Sequence, residues 1–147
     1  MRVLHIIPNF APTWRYGGPV VAADGLTRTL AKLGHEVTVF TTNIDGDGIL
    51  DVPTARPVNR DGVRVWYFPV QRPRWYFFSR QLAQAIRDGV GDFEIVHIHM
   101  LFLWPTTVGS FCAGRGGSLT LFTPLDCLIP RASEKRMNGE ASLSPVE

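Results

Sequence analysis

Apolar residues change period several times along this chain, and each change marks an element. Arg2-Val-Leu-His-Ile-Ile-Pro8 is a short β-branched run, the pattern of a buried strand. From Val20 to Leu33 the apolar residues fall at Ala22, Leu26, Leu30 and Leu33, one face of a helix. Gly34 stands where a C-cap glycine belongs, and Glu36-Val-Thr-Val-Phe-Thr41 returns to a strand pattern. Strand, loop, helix and strand in this order predict a βαβ unit with parallel strands and a right-handed crossover.

The stretch from Asn43 to Asp61 is polar and rich in Gly, Pro and Asp, which predicts a long surface excursion. Val63-Arg-Val-Trp-Tyr-Phe68 has the Val and aromatic content of a third strand. Ser79 is placed to cap a helix that runs to about Val90, with Leu82, Ala83, Ile86 and Val90 on its buried side. Asp92 to His99 reads as a fourth strand, followed by a helix towards Gly114, and Leu119 to Pro124 as a fifth strand. Beyond Leu125 the pattern dissolves. Residues 125–147 are expected to be a poorly ordered tail, or the product of a frameshift, beyond a domain spanning 1–124.

Composition narrows the function. A chain that is 45% hydrophobic and 19% charged is globular by default, and a net charge of +2 gives no support to nucleic-acid binding. Its longest apolar runs fall short of the roughly 20 residues of a membrane span. The first residues lead into a strand without a signal-peptide cleavage site, so a cytoplasmic protein is expected. Cys112 and Cys127 are widely spaced and read as free thiols.

Three places carry candidate chemistry. The loop from Pro8 to Pro19 includes Asn9 and Tyr16, ends in Gly17-Gly18, and meets a helix opened by Pro19. Free N–H groups at a positive helix end suit phosphate, carboxylate or sugar hydroxyls, although two glycines also serve a plain turn. The second place is the segment from Gln71 to Phe78, where Arg72 and Arg74 stand beside Trp75, Tyr76, Phe77 and Phe78. Some of these rings should pack on the core, and the alternative is an exposed patch for an anionic membrane surface or a sugar acceptor. The third place is His97 and His99, two apart on a strand and therefore on one face. His99 is nearer the carboxyl edge, where open α/β sheets keep their ligands, and is the better candidate; His97 is read as buried. Two such histidines can ligate zinc but need a third ligand, which no Cys/His spacing supplies, so no metal is expected. His5 reads as a core histidine and His35 as a turn residue.

Familiar nucleotide motifs are absent. No G-x-G-x-x-G follows the first strand, no Gly-Lys-Ser/Thr occurs, and there is no G-x-S-x-G elbow. What the chain does contain, in order, is a strand ending in Pro8, a loop closing on Gly-Gly-Pro, and a helix ending Leu-Ala-Lys-Leu-Gly-His-Glu-Val. Val-Phe-Thr-Thr-Asn, Asp-Gly-Val-Arg-Val and Asp-Phe-Glu-Ile-Val-His-Ile-His follow. From Met1 to about Gly114 this series resembles the N-terminal domain of family 4 glycosyltransferases, retaining enzymes of the GT-B fold.

The resemblance implies an α/β fold, a Rossmann-like parallel sheet with helices on both faces. It implies an acceptor-binding domain for sugar transfer from a nucleotide sugar, a substrate rather than a cofactor, to a glycan or lipid-linked acceptor. Gly17 and Gly18, with Asn9 and Tyr16, would line the cleft, and His99 would be the catalytic histidine beside the transferred sugar. Arg72, Arg74, Trp75 and Tyr76 would form an acceptor or peripheral membrane patch at the inner face of the membrane. Similar members follow the fifth strand with Ser-Pro-Arg-Gly; here Thr123-Pro124 is followed by Leu125-Asp126. The family's second domain, which holds the donor, is not among the 147 residues. The expectation is therefore a truncated half, inactive alone, or a binding subunit that works with a separate donor-binding chain.

Overall fold

The computed structural model describes residues 1–54, 56–116 and 118–123. The expected tail at 125–147 and the departure at Pro124 to Asp126 lie outside them. Five parallel strands appear where the sequence pattern puts them: β1 (Arg2–Ile6), β2 (Glu36–Thr42), β6 (Val63–Phe68), β7 (Ile95–His99) and β8 (Leu119–Thr123). Between β2 and β6 lie a hairpin, β3 (Ile44–Asp45) with β4 (Gly48–Ile49), and the short strand β5 (Val58–Arg60). The main sheet has six strands in the order β5-β6-β2-β1-β7-β8, with only β5 antiparallel to its neighbour.

Strand β5 corrects the reading of 43–61 as excursion alone. Arg60 pairs with Val63, so Asp61-Gly62 is a two-residue turn, and both residues have positive φ (50° and 88°). That is the conformation for which Asp-Gly is favoured between antiparallel strands.

Helix α1 (Gly18–Lys32) covers one face of the sheet; α2 (Arg80–Gly89) and α3 (Trp104–Gly116) cover the other. Alternation along the strands divides the core accordingly. Leu4, Ile6, Val96 and Ile98 meet Leu82, Ile86 and Ala113 on the α2/α3 side. Val37, Val39, Val65 and Tyr67 meet Val20 and Ala23 on the α1 side. Helix α2 starts as read, with Ser79 Oγ accepting from the Leu82 N–H at 3.3 Å and Leu82, Ala83, Ile86 and Val90 buried. Helix α3 comes close to β1 at Gly109, where a Cβ would lie 2.8 Å from Ile6 Cδ1.

The buried face of α1 differs from the expected one. Val20, Ala23, Asp24 and Thr27 are buried, whereas Ala22, Leu26 and Leu33 are exposed and Leu30 is half-buried. Small side chains let the helix lie close on the sheet, and the two polar ones have local partners. Thr27 Oγ1 donates to the Asp24 carbonyl, and the Asp24 carboxylate pairs with Arg28 at 3.3 Å. Burial with satisfied hydrogen bonds carries little of the usual polar penalty.

Candidate functional site

The strand order has a switch point. From β1 the chain crosses to β2 and β6 on one side, then returns to place β7 and β8 on the other. Loops leaving the carboxyl ends of β1 and β7 therefore diverge, which opens the crevice where parallel sheets bind ligands. The loop to Gly17-Gly18 follows β1, and His99 is the last residue of β7.

The loop after β1 is held from below. Phe10 and Ala11 are buried, and the Tyr67 hydroxyl, itself in the core, donates to the Ala11 carbonyl. A 3-10 turn at Trp14–Tyr16 then leads to Gly17. At Gly17 the backbone adopts φ 68° and ψ −138°, a combination close to glycine's own territory. Gly18 has no such requirement, and a Cβ at either glycine would meet nothing within 4 Å. The pair thus faces open space at the start of α1.

The loop offers fewer free donors than its sequence suggests. The Gly17 N–H donates to the Trp14 carbonyl, the Val20 and Val21 N–H groups donate to Gly17, and Pro19 has none. Tyr16 and its neighbour Arg15 are engaged as well. Tyr16 Oη accepts from the Gly46 N–H at 2.9 Å, and Arg15 pairs with Asp45 at 3.0 Å, so both bind the β3–β4 hairpin. Burial raises the Tyr16 phenol above its ordinary value, partly offset by the Gly46 bond. Asn9 lies beneath the surface at 1% exposure, and neither atom of its carboxamide has a partner.

The aromatic and basic segment divides. Phe78 packs on Trp104 with centroids 4.6 Å apart, Tyr76 meets the same indole edge-on at 6.2 Å, and Phe77 faces Tyr16. Arg74 donates to the Asp47 carbonyl. Arg72 and Trp75 remain exposed, Trp75 at 77%.

The histidines form a close polar group. As the alternation requires, His97 and His99 share a face, with ring centroids 4.1 Å apart and nearly stacked. Parallel register sets His5 of β1 directly beside His97, and its Nδ1 lies 2.8 Å from His99 Nε2. Burial runs opposite to expectation: His99 is 2% exposed, and His97 is the half-buried one. Desolvation holds His99 down to about 3, with His97 adding in the same direction. It holds His5 well below the usual imidazole value, with His99 and His97 adding, and lowers His97 less. The rings are therefore neutral near pH 7. In a neutral His5–His99 pair one nitrogen donates and the other accepts, which leaves His5 Nε2 and His99 Nδ1 buried without partners.

Sequence reasoning missed two features. His5 was read as a lone core histidine, because its partner lies 94 residues away and only the strand order brings the two together. Just past His99, Met100 and Phe102 adopt φ 67° and 62°, values unusual for such side chains, and Phe102 is 75% exposed. Left-handed backbone at non-glycine residues concentrates in functional loops.

No helix among the described residues is long and apolar enough to cross a membrane. A comparison with curated proteins gives no match. The sequence model described as Glycosyltransferase Family 4 matches residues 16–124, the greater part of the chain. That match spans Tyr16 and both glycines of the α1 turn, the Arg72–Tyr76 segment and the histidines of β7, in a mostly parallel α/β sheet. The chain belongs to glycosyltransferase family 4.

Proposed function

We propose that this chain is the acceptor-binding half of a retaining glycosyltransferase. It would hold a glycan or lipid-linked acceptor while a nucleotide sugar, bound mainly by a second domain or chain, gives up its sugar. The observation that carries the reading is the Gly17-Gly18 turn, open to solvent at the switch point of a family 4 sheet. A turn without side chains lets a phosphate or sugar approach the backbone at the positive end of α1. His99 ends β7 at the same sheet edge and, being 2% exposed, would meet the transferred sugar only once uncovered. Stabilising the departing diphosphate is a large part of such catalysis, so the chain alone should not turn over.

The test is amide NMR on the full chain, titrated with a soluble polyprenyl phosphate and with short oligosaccharides, beside a turnover assay with UDP- and GDP-sugars. Shifts centred on Gly17, Gly18 and His99, without turnover, support the reading. Rapid transfer by the chain alone, abolished in His99→Ala, would overturn its dependence on a second half. Titrations that leave those residues unmoved would overturn the acceptor role.

A second reading, a non-catalytic subunit of a split enzyme, is favoured by the outer strand. Leu119 and Leu121 of β8 are exposed on one face of the sheet and Phe122 on the other. Exposed apolar residues on an outer strand suit burial against a partner chain. Sedimentation of the chain mixed with a family 4 donor domain distinguishes the two, since only a subunit forms a stable complex. A cytoplasmic location with contact at the inner membrane face, through Arg72 and Trp75, accompanies either reading. Co-sedimentation with anionic but not neutral vesicles tests that contact.

A further inference from the structure

We propose that His5, His97 and His99 form a three-imidazole site for a divalent first-row transition metal, with zinc the first choice. This inference rests on the histidine cluster alone; a metal-bound His99 would not also contact the transferred sugar, so the site is proposed apart from the acceptor role of the Gly17-Gly18 turn.

Two neighbouring strands that are far apart in the sequence supply the three rings. His5 and His97 are register partners on adjacent parallel strands, and His99 follows on the same face. Ring centroids lie 5.0, 5.1 and 4.1 Å apart, and one ring nitrogen of each lies within 4.8 Å of those of the other two. Zinc–imidazole bonds of about 2.0–2.1 Å in a tetrahedron put the nitrogens roughly 3.3 Å apart. His5 and His99 already bring nitrogens to 2.8 Å, so the pair needs to widen by about half an ångström. His97 is half-buried, and its ring would have to turn inward to join the other two. The third ligand that sequence spacing lacks is thus supplied by tertiary structure.

The donor set selects the metal. Three imidazoles with no carboxylate suit zinc, copper, nickel or cobalt, and disfavour magnesium and calcium, which need oxygen ligands. The site also has a weakness. Strong zinc sites orient each imidazole through a hydrogen bond to its other nitrogen. Here His5 Nε2 and His99 Nδ1 have no partner. That omission typically costs about ten- to a hundredfold in affinity, so binding weaker by that factor than at a fully supported three-histidine site is expected.

The experiment uses the full chain without a histidine tag, stripped with chelator and titrated with Zn2+ and Co2+. One zinc per chain by elemental analysis, with the visible absorption of four-coordinate cobalt, is the expected result. Direct ligation would shift the ring nitrogens of all three histidines in NMR. His97→Gln, at a half-buried position, should weaken zinc at least tenfold with an unchanged circular dichroism spectrum, whereas His35→Gln should leave binding intact. Substoichiometric metal on the folded chain would overturn the proposal. So would equal affinity in His97→Gln, or nitrogen shifts confined to His35. Should His97→Gln fail to fold, the wild-type nitrogen shifts decide alone. None of these readouts involves sugar transfer, so this proposal and the acceptor reading can fail separately.

Discussion

Acid should loosen the metal-free fold well above the pH at which carboxylates titrate, and His99 is the residue through which it acts. Folded, its ring is held neutral with a pKa of about 3; unfolded, it should return to about 6.5. The unfolded chain therefore binds the extra proton, and stability rises with pH between the two values. The contribution is complete above pH 6.5 and is lost as pH falls towards 3. At about 1.36 kcal/mol per pH unit, the loss from His99 alone is about 2 kcal/mol at pH 5. His5, shifted in the same direction, adds to it. Against a typical domain stability of about 5–15 kcal/mol, that is a large fraction. The assay is urea unfolding followed by tryptophan fluorescence, in chelator, at half-unit steps from pH 7.5 to 5. The control is His99→Gln, whose overall stability is free to differ but whose slope over this window should be shallower. A flat wild-type profile, or the same slope in the variant, would refute the reasoning.

Two further perturbations probe the elements around the site. Gly17→Ala forces a side chain onto a φ of 68° and should cost about 1–3 kcal/mol, while Gly18→Ala, in ordinary helical backbone, should be neutral or stabilise by up to about 1 kcal/mol. Equal urea midpoints for the two variants would contradict the assigned geometry. Gly109→Ala gains helix propensity but drives its methyl into Ile6 Cδ1, and a net loss of about 1 kcal/mol is expected. Ile6→Val removes that methyl, so the double variant should be less destabilised than the two single effects together; strict additivity would show that the contact is not felt.

The sheet was readable because its strands are short β-branched runs bounded by turn residues, from Val3 to Ile7 through Ile95 to Ile98. Helix α2 was readable for a similar reason, since Ser79 and the spacing of Leu82, Ile86 and Val90 agree with each other. Helix α1 misled because Ala22, Leu26 and Leu33 point outward, Leu30 is only half-buried, and the inner face is built of small and polar residues. Strand β5 was hidden by length, although its Asp61-Gly62 turn was in plain view. The glycine turn could be located from sequence, but not how much of its hydrogen bonding is already spent on Trp14 and its own helix. His5 was beyond local reading altogether. Its significance depends on β7 returning to lie beside β1, a fact of topology that no window of sequence contains.

The engagements of Arg15, Tyr16 and Arg74 bear on how this domain can be re-engineered. Arg15 and Tyr16 are fastened to Asp45 and Gly46, Arg74 reaches the Asp47 carbonyl, and Phe77 rests against Tyr16. Three stretches far apart in the chain thus behave as one interlocked rim. A β-carbon at Gly46 would displace the Arg15 guanidinium. A specificity loop grafted from a relative into any one stretch would inherit the wrong counterparts from the other two. Transplants at this rim should succeed as sets of three, with residues 12–18, 44–49 and 71–78 exchanged together.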